Sequence, residues 1–254
     1  MSPERRRRDG ILADIESVLF VHAHPDDETL ATGALIAELV SRGIIVSLLT
    51  ATRGERGEIV EGVLRADTDP ETLSRIREQE LRSACLALGI TQHFWLGQAP
   101  ARAEGLPDTL YADSGMLWIR EGLAGSAADV SSDALATAPM ATVTADVAAL
   151  ISSARPSLVV SYDAAGGYGH PDHVRVHEAS VAACALTSTP YAEVVAERGS
   201  DVEWFDLEHR LPQVVTALRS HATQLSVDGD DVVHSGGQRH AIPTSTGLRM
   251  FNRA

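Results

Sequence analysis

Short apolar segments alternate with longer amphipathic ones along most of this 254-residue chain. Ser17–His22 and Ile44–Thr50 have the apolar, β-branched composition of strands that are buried on both faces of a sheet. Between them, Thr29–Ser41 repeats apolar residues at helical spacing, and Gly43 is a helix stop signal. A strand, a covering helix and a second strand pack most readily with the two strands parallel. The start of the chain therefore predicts an α/β fold.

The same alternation extends this prediction to the rest of the chain. Further helices are expected at Glu71–Leu88, Ala141–Ser153, Pro171–Leu186 and His209–Leu225, and further strands at Gln92–Leu96, Ser157–Ser161 and Val202–Leu207. For Gly97–Ala138 we predict irregular structure over the sheet edge, with burial of its larger apolar residues, Tyr111, Met116, Leu117, Trp118 and Ile119. The expected fold is one Rossmann-like α/β domain over residues 1–254, with a mostly parallel sheet, helices on both faces and a flexible tail at residues 1–12.

Charge and composition exclude several classes of function. The chain carries 35 acidic and 21 basic residues, and every basic residue is Arg. The absence of Lys excludes Schiff-base chemistry through a lysine and excludes a Walker A loop. The net charge of -14 argues against nucleic acid as a partner, and no apolar run is long enough to span a membrane. We expect a cytoplasmic protein with two buried, reduced thiols, Cys85 and Cys184; the sequence leaves a homo-oligomer open.

The loop after the first predicted strand carries polar residues at the place where such sheets bind ligands. It reads His22-Ala23-His24-Pro25-Asp26-Asp27-Glu28 and contains no glycine-rich phosphate loop. A second corner of the same type, His170-Pro171-Asp172-His173, lies at another strand-to-helix junction. In each corner we expect the proline at the first helical position, with acidic residues in the first turn. The two corners predict a polar metal site rather than a dinucleotide site.

Side chains three positions apart at the start of a helix project to the same side. His24 with Asp27, and His170 with His173, are therefore expected to point above the sheet. A His-Asp-His set that leaves one position open makes a catalytic zinc site, and the ion would acidify a bound water. Asp26, next to a ligand, is placed to act as the general base. For the acidic residues alone, the alternative is that they complement the helix dipole, which requires no histidine.

Taken together, these motifs resemble those of the PIG-L (LmbE-like) zinc deacetylases, which remove acetyl groups from N-acetylglucosamine-containing substrates. The resemblance extends from Val18 to about Gln224 and is strongest to the branch that deacetylates N-acetylglucosaminyl-inositol in mycothiol biosynthesis. Besides the two corners, it includes Arg77-Glu78-Gln79-Glu80-Leu81, Asp113-Ser114-Gly115-Met116 and Leu218-Arg219-Ser220-His221-Ala222-Thr223-Gln224. It implies an LmbE-like fold and a small-molecule amino-sugar substrate.

The resemblance assigns the metal site residue by residue. It implies that His24, Asp27 and His173 bind Zn2+, in a site that Fe2+ can also occupy, and that Asp26 is the general base. Metal-bound water would then attack the amide carbonyl of the acetyl group.

It also assigns the residues around the metal. His170 is implied to stabilise the tetrahedral intermediate and to protonate the leaving amine, while Asp172 orients its ring. Tyr168, between glycines that allow its loop to move, is implied to donate a hydrogen bond to the developing oxyanion. Arg77 and Asp113 match positions that hold the sugar or its aglycone.

Two other functions stay open. Thiol-conjugate amidases of the same family carry a lysine shortly after the acidic corner, where this chain has Leu30, Ala31 and Thr32. This difference disfavours a zinc amidase that cleaves a larger N-acyl or thiol-conjugate amide, without excluding it. The other alternative is an inactive sugar-binding protein, which would need neither Asp26 nor His170. The sequence assigns no role to His221.

Overall fold

The structure of the chain is a computed structural model that describes residues 10–65, 67–120 and 122–251. Its strands are β1 Ser17–His22, β2 Ile45–Thr50, β3 Gln92–Trp95, β4 Met116–Arg120, β5 Leu123–Ser126, β6 Leu158–Tyr162, β7 Tyr191–Val195, β8 Val202–Asp206, β9 Leu225–Asp228, β10 Asp231–His234, β11 Arg239–Ala241 and β12 Ser245–Met250. Its helices are α1 Asp27–Ser41, α2 Pro70–Leu88, α3 Met140–Ala154, the single turn α4 Gly166–Gly169, α5 Pro171–Thr187 and α6 Leu211–Leu218.

The central sheet has seven strands in the order β3-β2-β1-β6-β7-β12-β8. The strands from β3 to β7 pair in parallel, whereas β12 runs antiparallel to both of its neighbours. From β1 the chain first builds the sheet outward through β2 and β3, and it later adds β6 on the opposite side of β1. The strand order therefore reverses between β1 and β6, and folds of this kind bind ligands at that point.

Both faces of the sheet are covered by helices. Val18 and Phe20 of β1 point into a core shared with α1, α2 and α6, whereas Leu19 and Val21 point into a second core shared with α3 and α5. Consecutive residues of one strand thus fill opposite cores, which explains why β1 is a continuous apolar run instead of an alternating pattern. The prediction of a mostly parallel, Rossmann-like α/β sheet is confirmed.

Two predicted segments differ from the structure, and the sequence pattern leaves several short strands unpredicted. Gly97–Ala138 contains the hairpin of β4 and β5. Tyr111 is buried as expected, but the prediction of burial is wrong for Leu117, Trp118 and Ile119, which are 45%, 48% and 63% exposed. The helix predicted for His209–Leu225 ends at Leu218, where a turn follows. The sequence pattern does not predict β7 or the strands after Leu225, because these short strands mix polar and apolar residues.

The two His-Pro-Asp corners start their helices differently. Pro171 occupies the first turn of α5 as predicted, with His170 as the N-cap. The corresponding prediction is wrong for Pro25, because Asp26 is the N-cap of α1 and Asp27 is its first residue. The backbone of Asp26, at φ 101° and ψ -31°, separates the proline from the helix.

Three smaller predictions concern the chain outside the sheet. Residues 1–9 of the expected tail lie outside the described residues, whereas Ile11 and Leu12 pack against the core. Cys85 and Cys184 are buried free thiols, as predicted. Within the described ranges, the helices are too short or too polar for any of them to cross a bilayer.

Candidate active site

The two corners meet at the carboxyl ends of neighbouring strands. β1 and β6 are parallel, with Phe20 opposite Val160, so the loops that follow them leave the sheet at the same edge. The first loop carries His24 and the second leads to His170 and His173. The three imidazole rings lie with centroids between 4.5 and 5.3 Å apart. Chain segments nearly 150 residues apart therefore form one cluster.

Three side-chain atoms in this cluster form a triangle. His24 Nδ1 and His173 Nε2 each lie 3.3 Å from Asp27 Oδ2, and the two nitrogens are 3.4 Å apart. In a tetrahedral metal site with bonds of about 2.0–2.1 Å, neighbouring ligand atoms are about 3.3–3.4 Å apart. The three atoms thus have the spacing of one face of such a site. We call His24, Asp27 and His173 the metal triangle, because they fit a single metal ion and leave its fourth position free.

The second ring nitrogen of each histidine in the metal triangle has an acceptor. His24 Nε2 lies 3.1 Å from Asp172 Oδ2, and His173 Nδ1 lies 3.2 Å from the carbonyl oxygen of Gly166. Histidines that bind metals usually donate their second N–H to a carboxylate or a carbonyl, which fixes the tautomer and the direction of the ring. The surroundings of both rings therefore favour metal binding through the nitrogens in the triangle.

The electrostatics of the metal triangle also favour a cation. Although burial works against its ionisation, the imidazoles of His173 and His24 hold the pKa of Asp27 well below its ordinary value. Burial works equally against a protonated His24, yet Asp113, Asp172 and Asp27 raise the pKa of His24 well above its ordinary value. Several buried carboxylates thus require positive charge at this place, and a bound metal ion would supply it.

Tyr162, the last residue of β6, supports the metal triangle. Its hydroxyl donates to Asp27 Oδ2 at 2.7 Å and accepts the backbone N–H of Ala23 at 2.8 Å. Its ring stacks on His173, with centroids 4.1 Å apart and planes inclined by 10°. Sequence reasoning missed this residue. The available signal was its position directly after the predicted strand Ser157–Ser161, at the start of the loop that leads to the second corner.

Asp172 contacts a different histidine from the one expected. Its carboxylate is fully buried, faces His24 and accepts both the backbone N–H, at 2.9 Å, and the hydroxyl of Ser114. His170 instead accepts the backbone N–H of Asp172 on Nδ1, at 3.1 Å, as the N-cap of α5. In this structure the Asp172 carboxylate contacts His24, and the backbone N–H of Asp172 contacts His170. The expectation that the carboxylate orients the ring of His170 stays a prediction.

His170 is a neutral ring with a defined tautomer. Because Nδ1 accepts a hydrogen bond, the hydrogen of the neutral ring is on Nε2. Burial, together with His24 and His173, lowers the pKa of His170 to about 2. The site thus contains one imidazole N–H donor that is not needed to hold the metal triangle.

Asp26 is half-buried at the start of α1, next to Asp27. Burial and the neighbouring Asp27 raise the pKa of Asp26 to about 8, against the opposing effect of His221. A metal ion in the triangle would lower this pKa, because a cation favours the ionised carboxylate. A carboxyl group that titrates near neutral pH is able to take up and release a proton during a reaction.

Tyr168 lies at the rim of the site on the glycine-rich turn α4. Gly166, Gly167 and Gly169 have φ values of 63°, 67° and 88°, which glycine adopts without strain. The Tyr168 ring is 37% exposed and lies between His173 and Trp118, with centroid distances of 5.1 and 5.7 Å. The structure thus brings Tyr168 next to the metal triangle.

Asp113 also lies next to the metal triangle. Its Oδ1 is 3.7 Å from His24 Nε2 and accepts the N–H of Gly115 at 2.8 Å, while its own N–H donates to Glu55 at 2.7 Å. Only 4% of Asp113 is exposed. Its carboxylate is therefore close to the reacting centre but mostly surrounded by protein.

Arg77, the other expected substrate contact, lies beneath the loop that follows β2. Its guanidinium donates to the carbonyl oxygens of Gly54 and Glu58, the latter at 2.8 Å, and to the hydroxyl of Thr223 at 3.3 Å. The side chain is 2% exposed. In this arrangement Arg77 holds the loop, and contact with a substrate would require it to release these carbonyls. The sugar contact therefore stays a prediction.

A second group of ligating atoms lies on the other side of His24. His24, Asp113, His170 and Asp172 each offer a ligand atom within 4.8 Å of the others, and so do His24, His170 and His173. Both oxygens of Asp172 already accept hydrogen bonds from Ser114, and His24 Nε2 lies at unequal distances of 3.1 and 3.7 Å from the two carboxylates. Asp113 and Asp172 thus contact His24 Nε2 at unequal distances, whereas the three atoms of the metal triangle are evenly spaced at 3.3–3.4 Å.

Comparison with known proteins identifies similar sequences that include both corners. The family model described as PIG-L, GlcNAc-PI de-N-acetylase, matches residues 19–184, which include both corners. The chain is 37% identical to the 1D-myo-inositol 2-acetamido-2-deoxy-alpha-D-glucopyranoside deacetylase of Kineococcus radiotolerans, over 89% of this chain and 73% of the relative. It is 38% identical to the protein of the same name from Thermomonospora curvata, over 92% of this chain and 87% of the relative.

A solved structure agrees with the fold. N,N'-diacetylchitobiose deacetylase from Pyrococcus horikoshii superimposes with a TM-score of 0.58 over 82% of this chain and 70% of its own. The sequence identity is 19%, so this likeness concerns the fold alone. The family model and the sequence relatives carry the conclusion: this chain belongs to the PIG-L family.

Proposed function

We propose that this protein is a zinc-dependent N-deacetylase that hydrolyses the acetamide of an N-acetylglucosamine-containing small molecule. The observation that carries the proposal is the metal triangle, with separations of 3.3, 3.3 and 3.4 Å, next to Asp26. Two sequence relatives are named as deacetylases of an N-acetylglucosaminyl-inositol. We therefore take that compound as the first candidate substrate.

Zinc is the proposed metal. Two imidazoles and one carboxylate with a free fourth position are typical of catalytic zinc sites, and the same donors also suit Fe2+. When bound, the ion would polarise the acetyl carbonyl and acidify a water molecule.

Asp26 would act on that water. Its carboxylate takes one proton as the water oxygen forms a bond to the carbonyl carbon. When the carbon–nitrogen bond breaks, the amine nitrogen requires a proton, and the Asp26 carboxyl group holds one to return. The products are acetate and a free amino sugar. A positioned acid–base group of this kind typically contributes a factor of about 10²–10⁴ in rate.

His170 and Tyr168 would act on the acetyl oxygen and the leaving group. The Nε2–H of His170 is available to donate a hydrogen bond to the oxygen as negative charge develops there. For His170 to protonate the amine, its ring would first have to take up a second proton, on Nδ1. The Tyr168 hydroxyl is a second donor, on a turn whose glycines allow the ring to approach a bound substrate. Donors aimed at a developing oxyanion are each worth about 10²–10³-fold in rate.

The substrate would be held by the loops around the metal triangle. We propose that Asp113 accepts a hydrogen bond from a sugar hydroxyl, since its carboxylate lies close to His24. Arg77 contributes by holding the loop that follows β2, and it reaches the aglycone only if that loop rearranges.

We also propose a cytoplasmic location. The two cysteines are buried and unpaired, which is common in reducing compartments.

The test is an acetate-release assay on N-acetylglucosaminyl-inositol and related N-acetylglucosamine glycosides, with the protein as purified, after chelation and after return of Zn2+. The proposal predicts acetate release that stops on chelation and returns with the metal. Asp26→Ala is the matched inactive control. Release of a larger acyl acid or a thiol conjugate in preference to acetate would favour the amidase alternative. Sugar binding without hydrolysis of any amide would contradict the proposal and favour the binding-protein alternative.

A further inference from the structure

Asp26 has a backbone conformation that non-glycine residues rarely adopt. Its φ is 101° and its ψ is -31°, in the part of conformational space that favours glycine. Such conformations are unfavourable for a residue with a side chain and persist only where the surrounding structure imposes them. Something around the first corner must therefore hold Asp26 in place.

The backbone of Asp26 is held on both sides. Its carbonyl oxygen accepts the N–H groups of Thr29 at 3.0 Å and Leu30 at 2.9 Å, as expected at the start of a helix. Its own N–H donates to Glu28 Oε2 at 3.0 Å. The first contact is common to all helices, whereas the second depends on the side chain of Glu28.

Glu28 is a fully buried carboxylate with one fully buried histidine as its partner. Its Oε1 accepts a hydrogen bond from His221 Nε2 at 2.9 Å and another from the hydroxyl of Thr29. The two side chains are thus a buried carboxylate–imidazole pair with their atoms 2.9 Å apart and no exposure to solvent. In the described part of the chain, neither side chain hydrogen-bonds to the metal triangle.

The segment that carries His221 is itself fixed. Two residues further along, Thr223 donates to Glu80 of α2 through its N–H at 2.8 Å and its hydroxyl at 2.7 Å. Contacts therefore run without interruption from α2 through this segment and Glu28 to the backbone of Asp26. Neither Glu28 nor His221 belongs to the metal triangle, and the proposed mechanism does not use either residue.

We propose that Glu28 and His221 are positioning residues that hold Asp26 in the orientation needed for catalysis. The ring of His221 fixes the Glu28 carboxylate, and this carboxylate fixes the N–H of Asp26. The purpose of this arrangement rests on the proposed function, in which Asp26 is the base. The arrangement itself rests only on the contacts and on the backbone conformation.

The kinetic test compares His221→Leu, which keeps bulk but removes the donor, with His221→Gln, which keeps an N–H donor of similar reach. We expect His221→Leu to lower kcat by about 10–100-fold, as a misplaced reacting group does, with KM and bound metal unchanged. His221→Gln should recover most of the loss. His93→Leu, which replaces a half-buried histidine of β3, is the matched control and should keep the wild-type kcat.

A double-mutant cycle separates positioning from general packing. If His221 acts through Asp26, His221→Leu should cause no further loss of activity in an Asp26→Ala background, because the two changes are then coupled. Equal losses in both backgrounds, or equal kcat in His221→Leu and His221→Gln, would overturn the proposal. If His221→Leu does not fold, Glu28→Gln gives the same comparison. The glutamine has only one acceptor oxygen, whereas the Glu28 carboxylate accepts from the Asp26 N–H, the Thr29 hydroxyl and His221 Nε2.

A second measurement does not depend on activity. Amide hydrogen exchange of peptides that cover residues 22–30 should be faster in His221→Leu than in wild type and His93→Leu, with α2 and α5 unchanged. If wild-type protein releases no acetate, the proposed function is wrong, and the exchange rates alone decide whether His221 holds Asp26. Unchanged exchange in this segment would contradict the positioning proposal in either case.

Discussion

Asp26 and Asp27 are adjacent in sequence, but their surroundings give them different tasks. Asp27 faces two imidazole nitrogens at 3.3 Å, whereas burial beside Asp27 raises the pKa of Asp26 to about 8. We predict that Asp26→Ala keeps its metal and loses about 10²–10⁴-fold in kcat. His173→Ala should instead lose the metal, because it removes one of three ligands. Metal analysis after dialysis, together with turnover on the same samples, distinguishes the two outcomes.

Either of two results would contradict these assignments. Wild-type turnover in Asp26→Ala would refute its role as the base. Full metal content in His173→Ala would refute the composition of the metal triangle.

Tyr162 provides a second test at the scale of single atoms. Its hydroxyl donates to Asp27 at 2.7 Å, while its ring stacks on His173. Tyr162→Phe removes the hydroxyl and keeps the ring, so we predict an affinity for Zn2+ about 10–100-fold weaker, as is typical for partners of metal ligands. Tyr111→Phe is the control, because it removes a buried hydroxyl that donates to Asp146 at 2.7 Å, outside the metal triangle. Competition with a chelator measures both variants; equal affinities would show that Tyr162 does not support the site.

At the scale of elements, the turn α4 packs closely against the metal triangle at Gly166, whose carbonyl oxygen contacts His173 Nδ1. A β-carbon on Gly166 would lie 2.8 Å from both the His173 β-carbon and the backbone nitrogen of Val174, whereas one on Gly167 would have no heavy atom within 4 Å. Both residues have positive φ, so either alanine should cost about 1–3 kcal/mol in backbone strain. We predict that Gly166→Ala also weakens metal binding, while Gly167→Ala does not. Titration with Zn2+ tests this, and equal affinities would contradict it.

The end of α1 provides a test of pH dependence away from the active site. Glu38 accepts hydrogen bonds from Arg42 at 2.7 Å and from His209 and Arg210 at 2.9 Å each. Burial opposes its ionisation, but these donors lower the pKa of Glu38 from 4.5 to about 2. Since the pKa is lower in the folded state, the contribution to stability is complete above pH 4.5 and is lost as the pH falls toward 2.

We therefore predict that Glu38→Gln lowers the thermal unfolding midpoint at about pH 6, and that its difference from wild type shrinks progressively below the ordinary pKa of a glutamate. Asp67→Asn, which breaks the exposed pair of Arg65 and Asp67, should change the midpoint little at any pH. If the difference in unfolding midpoint between Glu38→Gln and wild type stays constant as the pH falls toward 2, the ion pairs of Glu38 are not its cause.

The sequence predicts those elements whose apolar pattern is imposed by burial. β1 is filled from both faces of the sheet, so its composition alone identifies it. The hairpin of β4 and β5 exposes Trp118 and Ile119, and composition therefore gives a misleading expectation of burial there. The predicted helix position of Pro25 is wrong for a different reason. The unusual backbone of Asp26 depends on contacts with Glu28 that no local pattern reveals.

At the scale of the whole molecule, the strand order brings the two corners together. The parallel pair of β1 and β6 places His24 and His173 in one cluster, and the sequence could predict this because both corners follow strands. It could not predict which side chains meet across the cluster. Asp172 reaches His24 instead of His170, and Arg77 turns toward the carbonyls of a loop, because both outcomes depend on tertiary contacts.

The most direct measurement of the central claim is a crystal structure of the zinc-soaked protein, with anomalous data collected at the zinc edge. We predict one zinc ion, bonded to His24 Nδ1, His173 Nε2 and a carboxylate oxygen of Asp27 at about 2.0–2.2 Å. A crystal without zinc at the carboxyl ends of β1 and β6 would contradict the account. So would an ion held on the other side of His24, by Nε2 together with Asp113 and Asp172.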